Sequence, residues 1–165
     1  MRFEVLSPLA EDYGDDGRGR WPANAMSCVL RVQAADGTAA VLTGDVDAPR
    51  ETRMALSEPQ LRVDLLMVPH HGSRSSSSPV LLNAWRPSVA IVQAGFMNRF
   101  GHPAPDVVER YRERSVRLVD TPSCGAVSWR SHVPGAVGCE RLQRLRHWHV
   151  PVSPSAQRQG SASPS

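Results

Sequence analysis

His70 and His71 stand together in Val68-Pro69-His70-His71-Gly72-Ser73-Arg74-Ser75-Ser76-Ser77-Ser78-Pro79. Neutral imidazole is the commonest protein metal ligand. Ser73, Arg74 and Ser75 add hydroxyls and a permanent cation, a set suited to holding an anion such as phosphate. Two more groups join them by type: Asp45, in Thr43-Gly44-Asp45, and His102, in Phe100-Gly101-His102-Pro103. An aspartate with several histidines is a donor set for zinc or manganese. Two such metals, about 3.5–4 Å apart and bridged by one carboxylate, activate a water for attack at phosphorus or carbonyl carbon. Each group also has a plainer reading. An isolated His-His pair is a solvated polar loop, Gly44-Asp45 an ordinary turn, and His102 a residue ahead of a proline.

The surrounding elements favour the chemical reading. Val63 to Val68 is a short apolar run that reads as a buried strand. Ser78 is a good helix cap and Pro79 fits a first helical position, so residues 79 to 85 read as a helix. The histidines therefore sit where a strand opens into a loop before a helix, the edge at which open α/β sheets place their chemistry. Asp45 follows a strand-like run over 38–43, and His102 follows another over 87–93. If these strands are neighbours, Asp45, His70, His71 and His102 meet at one sheet edge.

Read from its start, the chain has a short strand over 2–6 and a loop over 11–25 rich in Asp, Gly and Arg. A strand over 27–33 follows, then a hairpin marked by Asp36-Gly37. Asp47 caps a helix running to about residue 56. Residues 105 to 114 read as an amphipathic helix with Val107, Val108 and Tyr111 inward. Residues 116–119 and 125–129 are two last strands. The pattern predicts a mixed α/β sheet with helices packed on one face. Past residue 130 the composition turns basic, with Arg130, Arg141, Arg144, Arg146 and Arg158 against Glu140 alone over 130–158. Glu140 to His149 could form one basic helix. Residues 151–165 have the composition of a disordered tail.

With 165 residues, 41% apolar and 21% charged, the chain is long enough for one folded domain. The formal charge of +3 is mild. Cys28, Cys124 and Cys139 are widely spaced and form no CxxC pair, so neither a zinc-thiolate site nor a disulfide framework is expected. Cys28 reads as a small buried hydrophobe within its strand. No run reaches the roughly 18 apolar residues of a membrane span, and Glu4 and Pro8 interrupt any signal-peptide pattern.

Four segments occur in order: Asn24-Ala-Met-Ser27-Cys-Val-Leu30, Leu42-Thr43-Gly44-Asp45, Val68 to Ser76, and Asn98-Arg-Phe-Gly101-His102-Pro103. The series resembles the C-terminal metallo-β-lactamase-fold region of the ComEC family of DNA-uptake competence proteins, over roughly residues 3 to 130. The resemblance implies the C-terminal half of an αββα sandwich and a metal-dependent nuclease that degrades the DNA strand not imported. It implies Asp45 as a metal-bridging carboxylate, His71 as a metal ligand, and His70 and His102 as further ligands or catalytic partners. Asn24 and Ser27 match a motif of less certain role. It also implies DNA as a partner and placement at the bacterial inner membrane, outside the cytoplasm.

The H-x-H-x-D-H-like motif of such hydrolases, which supplies several metal ligands from the N-terminal half of the fold, does not occur in this sequence. The expectation is a partial site, completed by the missing half of the domain or by a membrane channel partner. A nucleic-acid-binding module without catalysis and an inactive fragment are the rival readings.

Overall fold

The computed structural model describes residues 1–144 and residue 146. Its main sheet has six strands: β1 (Arg2–Ser7), β2 (Val29–Gln33), β3 (Ala39–Leu42), β4 (Leu65–Met67), β5 (Val89–Val92) and β6 (Arg117–Asp120). They lie side by side in chain order. β1, β2 and β3 pair antiparallel, and β3 to β6 pair parallel. Three helices make the parallel crossovers: α1 (Ala48–Ser57), α2 (Pro79–Trp85) and α3 (Pro105–Arg112). Crossovers of constant hand that always step in the same direction must leave every helix on one face. The predicted one-sided helical layer is therefore a consequence of the strand order.

Local sequence sets the helix starts. Asp47 accepts from the Arg50 N–H at 3.5 Å, and Ser78 accepts from the Leu81 N–H at 3.3 Å. Pro49 and Pro79 occupy first-turn positions where a missing N–H costs nothing. From these helices Met54, Leu81, Leu82, Trp85, Val107 and Tyr111 pack on Val29, Val41, Leu66, Ala90 and Val92 of the sheet. Val108 is only partly buried.

The opposite face is covered over part of its width. Leu65, Val89 and Ile91 lie beneath Val127, Trp129 and Val137. The last three come from a two-stranded sheet, β7 (Val127–Trp129) with β8 (Val137–Cys139), flanked by the short helices α4 (Thr121–Cys124) and α5 (Glu140–Gln143). A Cys124–Cys139 disulfide closes this unit. The expectation of no disulfide is thus corrected: spacing alone did not reveal that α4 and the end of β8 would meet. Cys28 is also corrected, because it precedes β2 and is exposed. β8 lies past residue 130, within the stretch read as basic and outside the fold. The expected helix over 140–149 is helical at Glu140–Gln143; most of its remainder, and all of 151–165, lies outside the described residues.

Two other details differ from expectation. The hairpin loop holds three residues, 35 to 37, because the Ala34 N–H bonds the Thr38 carbonyl. The segment read as a plain loop over 11–25 is pinned to α1. Asp12, fully buried, pairs with the Arg50 guanidinium at 3.0 Å and accepts from the Trp21 indole at 3.0 Å. Arg50 also donates to the Ala25 carbonyl at 2.8 Å. Burial alone would raise the Asp12 pKa, but the hydrogen bonds from Arg50 and the Leu9 N–H outweigh it and hold the carboxyl below its usual range.

Candidate functional site

Because β3 to β6 run parallel, the loops after them open at the same edge. Those loops are stitched laterally. Thr43 Oγ1 donates to the Met67 carbonyl at 2.8 Å, and the His70 N–H donates to the Gly44 carbonyl at 3.0 Å. The Ala104 N–H donates to the Gly72 carbonyl at 2.9 Å. Gly72 is required here, since a Cβ would sit 2.6 Å from the Pro103 Cβ and its φ is +81°. Thr121 Oγ1 bonds both the N–H and the carbonyl of Ala94.

This stitching brings the expected residues together. His71 Nε2 lies 3.4 Å from Asp45 Oδ1. The His70 ring centroid is 6.3 Å from that of His71 and 6.4 Å from that of His102. His70 and His71 both have left-handed backbones, with φ of +46° and +56°. Such conformations are rare outside glycine and concentrate at functional sites.

Hydrogen bonding fixes how His71 is used. Its Nδ1 is 2.7 Å from the Gln93 carbonyl oxygen. A carbonyl can only accept, so Nδ1 carries a proton and donates. Nε2 then points a lone pair at the Asp45 carboxylate unless it too is protonated. Two electron-rich atoms that close together suit a shared proton or a cation. The Nδ1 atoms of His70 and His102 are buried with no hydrogen-bond partner among the described residues. Burial first, and then the charges of His70 and His71, hold the His102 pKa below its ordinary value. The neutral form of His102 is thereby favoured.

The metal expectation meets a partial fit. Asp45 and His71 present two convergent donors, but no group of three His, Cys, Asp or Glu placed to hold a metal occurs among the described residues. A cation at this position would need further donors from outside those residues.

Ser73, Arg74 and Ser75 form the outer part of the loop. The Ser73 and Ser75 hydroxyls are 3.2 Å apart, and Arg74 is 80% exposed, with a long 3.7 Å contact to Asp106. Ser76 and Ser77 turn inward. Ser76 Oγ donates to the Pro69 carbonyl at 2.8 Å, and Ser77 Oγ meets the Tyr111 hydroxyl at 3.0 Å. Ser27 Oγ accepts from the Asp45 N–H at 3.2 Å and so positions the aspartate. Asn24 lies exposed three residues earlier, in a 3-10 turn.

Sequence reasoning missed Glu51. It is fully buried, and its carboxylate accepts from the Ser77 N–H at 2.6 Å and the Ser78 N–H at 2.5 Å. It braces the serine loop from behind. Its one sequence signal is an acid four residues past the Asp47 cap, three before Met54 on the same helix face. Asn98 was noted only within a motif. Its side chain accepts from the His102 N–H at 2.9 Å and donates to the His102 carbonyl at 2.7 Å, closing the 98–102 loop.

No protein-family model matches the chain. It is 37% identical over 145 residues to competence protein ComA of Neisseria gonorrhoeae, covering 87% of this chain and 19% of that protein. It is 38% identical over 128 residues to recombination protein 2 of Haemophilus influenzae, covering 77% of this chain and 15% of that protein. It is 32% identical over 130 residues to ComE operon protein 3 of Bacillus subtilis, with 79% and 16% covered. These relatives support the likeness to ComEC-like competence proteins drawn from the four motifs. The chain is similar, along most of its own length, to one segment of these proteins, and it spans less than a fifth of each.

Proposed function

We propose that this chain is the C-terminal part of a metal-assisted nuclease domain serving DNA uptake. The observation that carries the reading is the Asp45–His71 pair, with Nε2 freed toward the carboxylate by the Nδ1–Gln93 bond. A divalent cation there, zinc or manganese, would supply Lewis acidity toward a phosphodiester and its attacking water. The chain's own residues do the rest. Ser27 fixes Asp45, Gln93 fixes the tautomer of His71, and His102 stands beside His70 as a proton donor or acceptor. Arg74, Ser73 and Ser75 offer charge and hydroxyls to the phosphate backbone.

Two further observations support a larger assembly. The sheet face away from the helices exposes Phe3, Val5 and Leu42 at 63%, 50% and 40%. This is the face that the other half of an αββα sandwich would cover, and that half is the partner proposed here. A channel partner in the membrane would come with the longer protein. Among the described residues no helix is long and apolar enough to cross a membrane. The disulfide suits an oxidising compartment, in line with placement outside the cytoplasm.

A second reading, a nucleic-acid-binding module without catalysis, draws on the two-donor count. One assay separates them: release of acid-soluble nucleotides from labelled DNA in manganese or zinc. The chain alone should cleave poorly and bind metal weakly. Adding the preceding half of the homologous region from a longer relative should restore cleavage, and His71→Ala should abolish it again. Robust cleavage by the chain alone, lost in His71→Ala, would show that its site is complete. DNA binding without cleavage in every pairing would favour the module.

A further inference from the structure

The loop between β5 and α3 has features that the proposed chemistry does not use. It presents Phe96, Met97 and Phe100 to solvent at 55%, 86% and 67% exposure. Single exposed apolar residues are ordinary, but a cluster on one loop marks a contact surface. The loop's shape is set by the Asn98 bonds to both the N–H and the carbonyl of His102. It is tied to the sheet edge by the Ala94–Thr121 bonds.

Phe100 is oriented toward the site. Its ring stacks on that of His102, with centroids 5.7 Å apart and planes 16° from parallel. The Arg99 guanidinium lies over the same phenyl ring, 4.8 Å from its centroid. Beside this stack is a cavity of about 490 Å³ bounded by His71, Gln93, Asn98, Phe100 and His102. That volume falls in the range of small-ligand pockets. One wall is aromatic, and the rim carries the histidine of the Asp45–His71 pair.

Resting on the DNA-handling reading above, we infer that Phe100 and Arg99 form a nucleobase platform, which stacks an unpaired base of single-stranded nucleic acid beside the histidine cluster. Exposed aromatic rings and arginine guanidinium groups are the parts that hold bases without sequence preference, and Phe100 keeps 67% of its surface exposed beside Arg99. A base inside a duplex has its faces covered by its neighbours, so only an unpaired base can use the platform. Arg74, Ser73 and Ser75 take the backbone on the phosphate side. A membrane-inserting loop would also expose Phe and Met. The choice between the two is made by position: Phe100 is stacked on His102 and lines the cavity of the histidine cluster.

The test uses the full 165-residue chain and fluorescence anisotropy with a labelled oligothymidylate. An abasic strand of the same length and a blunt duplex serve as comparators. The wild-type chain should bind oligothymidylate more tightly than the abasic strand or the duplex. Phe100→Ala should weaken oligothymidylate binding roughly tenfold, equivalent to about 1.4 kcal/mol of stacking, and leave the abasic strand unaffected. Phe100→Trp should restore it. Arg74→Ala should weaken both strands alike, as loss of a phosphate contact does. Circular dichroism of each variant controls for folding. Equal binding of both strands, unchanged by Phe100→Ala, would overturn the platform and leave the DNA reading standing. Binding to neither strand would overturn both. If Phe100→Ala lowered binding only to phosphatidylethanolamine–phosphatidylglycerol vesicles, the loop would be a membrane contact and the inference would fall.

Discussion

Leu42 and Leu66 lie on neighbouring strands, β3 and β4, and face opposite ways. Leu66 is fully buried against the helical layer, whereas Leu42 is 40% exposed on the far face. The far face is itself divided. Over β4, β5 and Ala40 of β3 it lies under the disulfide-closed β7–β8 unit, while at Phe3, Val5 and Leu42 it is open. One layer of the sheet is a finished core and the other is finished only in part. A free-standing domain places its large apolar residues on covered faces. This sheet supports its own fold with one face and leaves part of the other exposed.

Truncating the two leucines tests the comparison most directly. Leu66→Ala should cost about 2–5 kcal/mol in urea unfolding, as buried leucines do. Leu42→Ala should cost less than about 1 kcal/mol in the chain alone. If Leu42→Ala proved as costly as Leu66→Ala, the far face would already be covered.

The disulfide should give the next largest effect. It closes a loop with a sequence separation of 15, for which chain-entropy reasoning gives about 3 kcal/mol. Reduction, or Cys124→Ser with Cys139→Ser, should lower stability by an amount of that order. It should also expose Leu65, Val89 and Ile91 to a hydrophobic dye. Unchanged dye binding after reduction would mean that Trp129 and strand pairing hold the unit without the bond.

Glu51 provides the smallest and most specific test. Burial raises its pKa in the folded state, despite the N–H groups of Ser77 and Ser78 that favour the charged form. A group with a raised folded pKa contributes fully below its unfolded value, and that contribution is lost as pH rises through the folded value. Glu51→Gln removes the titration, so its stability relative to wild type should improve as pH rises above the usual carboxylate range. Unfolding curves at pH 5 and pH 8 suffice. A wild type that gains on the variant with rising pH would show that the two N–H bonds outweigh burial.

Much of this was legible from residue types. Ser78-Pro79 announced α2 to the residue, and Asp47 announced α1. The apolar runs before Asp45, His71 and His102 placed the loops at one edge on the condition that their strands were neighbours, and the parallel β3–β6 order meets that condition. What escaped reading were contacts between residues far apart in sequence. Asp12 and Arg50 each look solvent-directed in isolation, and their joint burial, with the Trp21 indole donating to Asp12, depends on α1 passing beneath residues 10–26. Cys124 and Cys139 were discounted because spacing patterns describe metal knuckles better than a bond between a short helix and a late strand. Glu51 owes its burial to the serine loop that folds over it, through contacts with Ser77 and Ser78, 26 and 27 positions away.

The left-handed backbones of His70 and His71 have a consequence for how this loop responds to selection. A side chain held there costs about 1–2 kcal/mol that glycine would not pay. Melting temperature and imidazole chemistry therefore pull the same two codons in opposite directions. A library of the loop ranked by thermal stability would drift toward glycine and asparagine at positions 70 and 71. One ranked by what the histidines do would hold them fixed. The distance between those two rankings would measure how much stability the chain gives up to keep two adjacent imidazoles at the edge of its sheet.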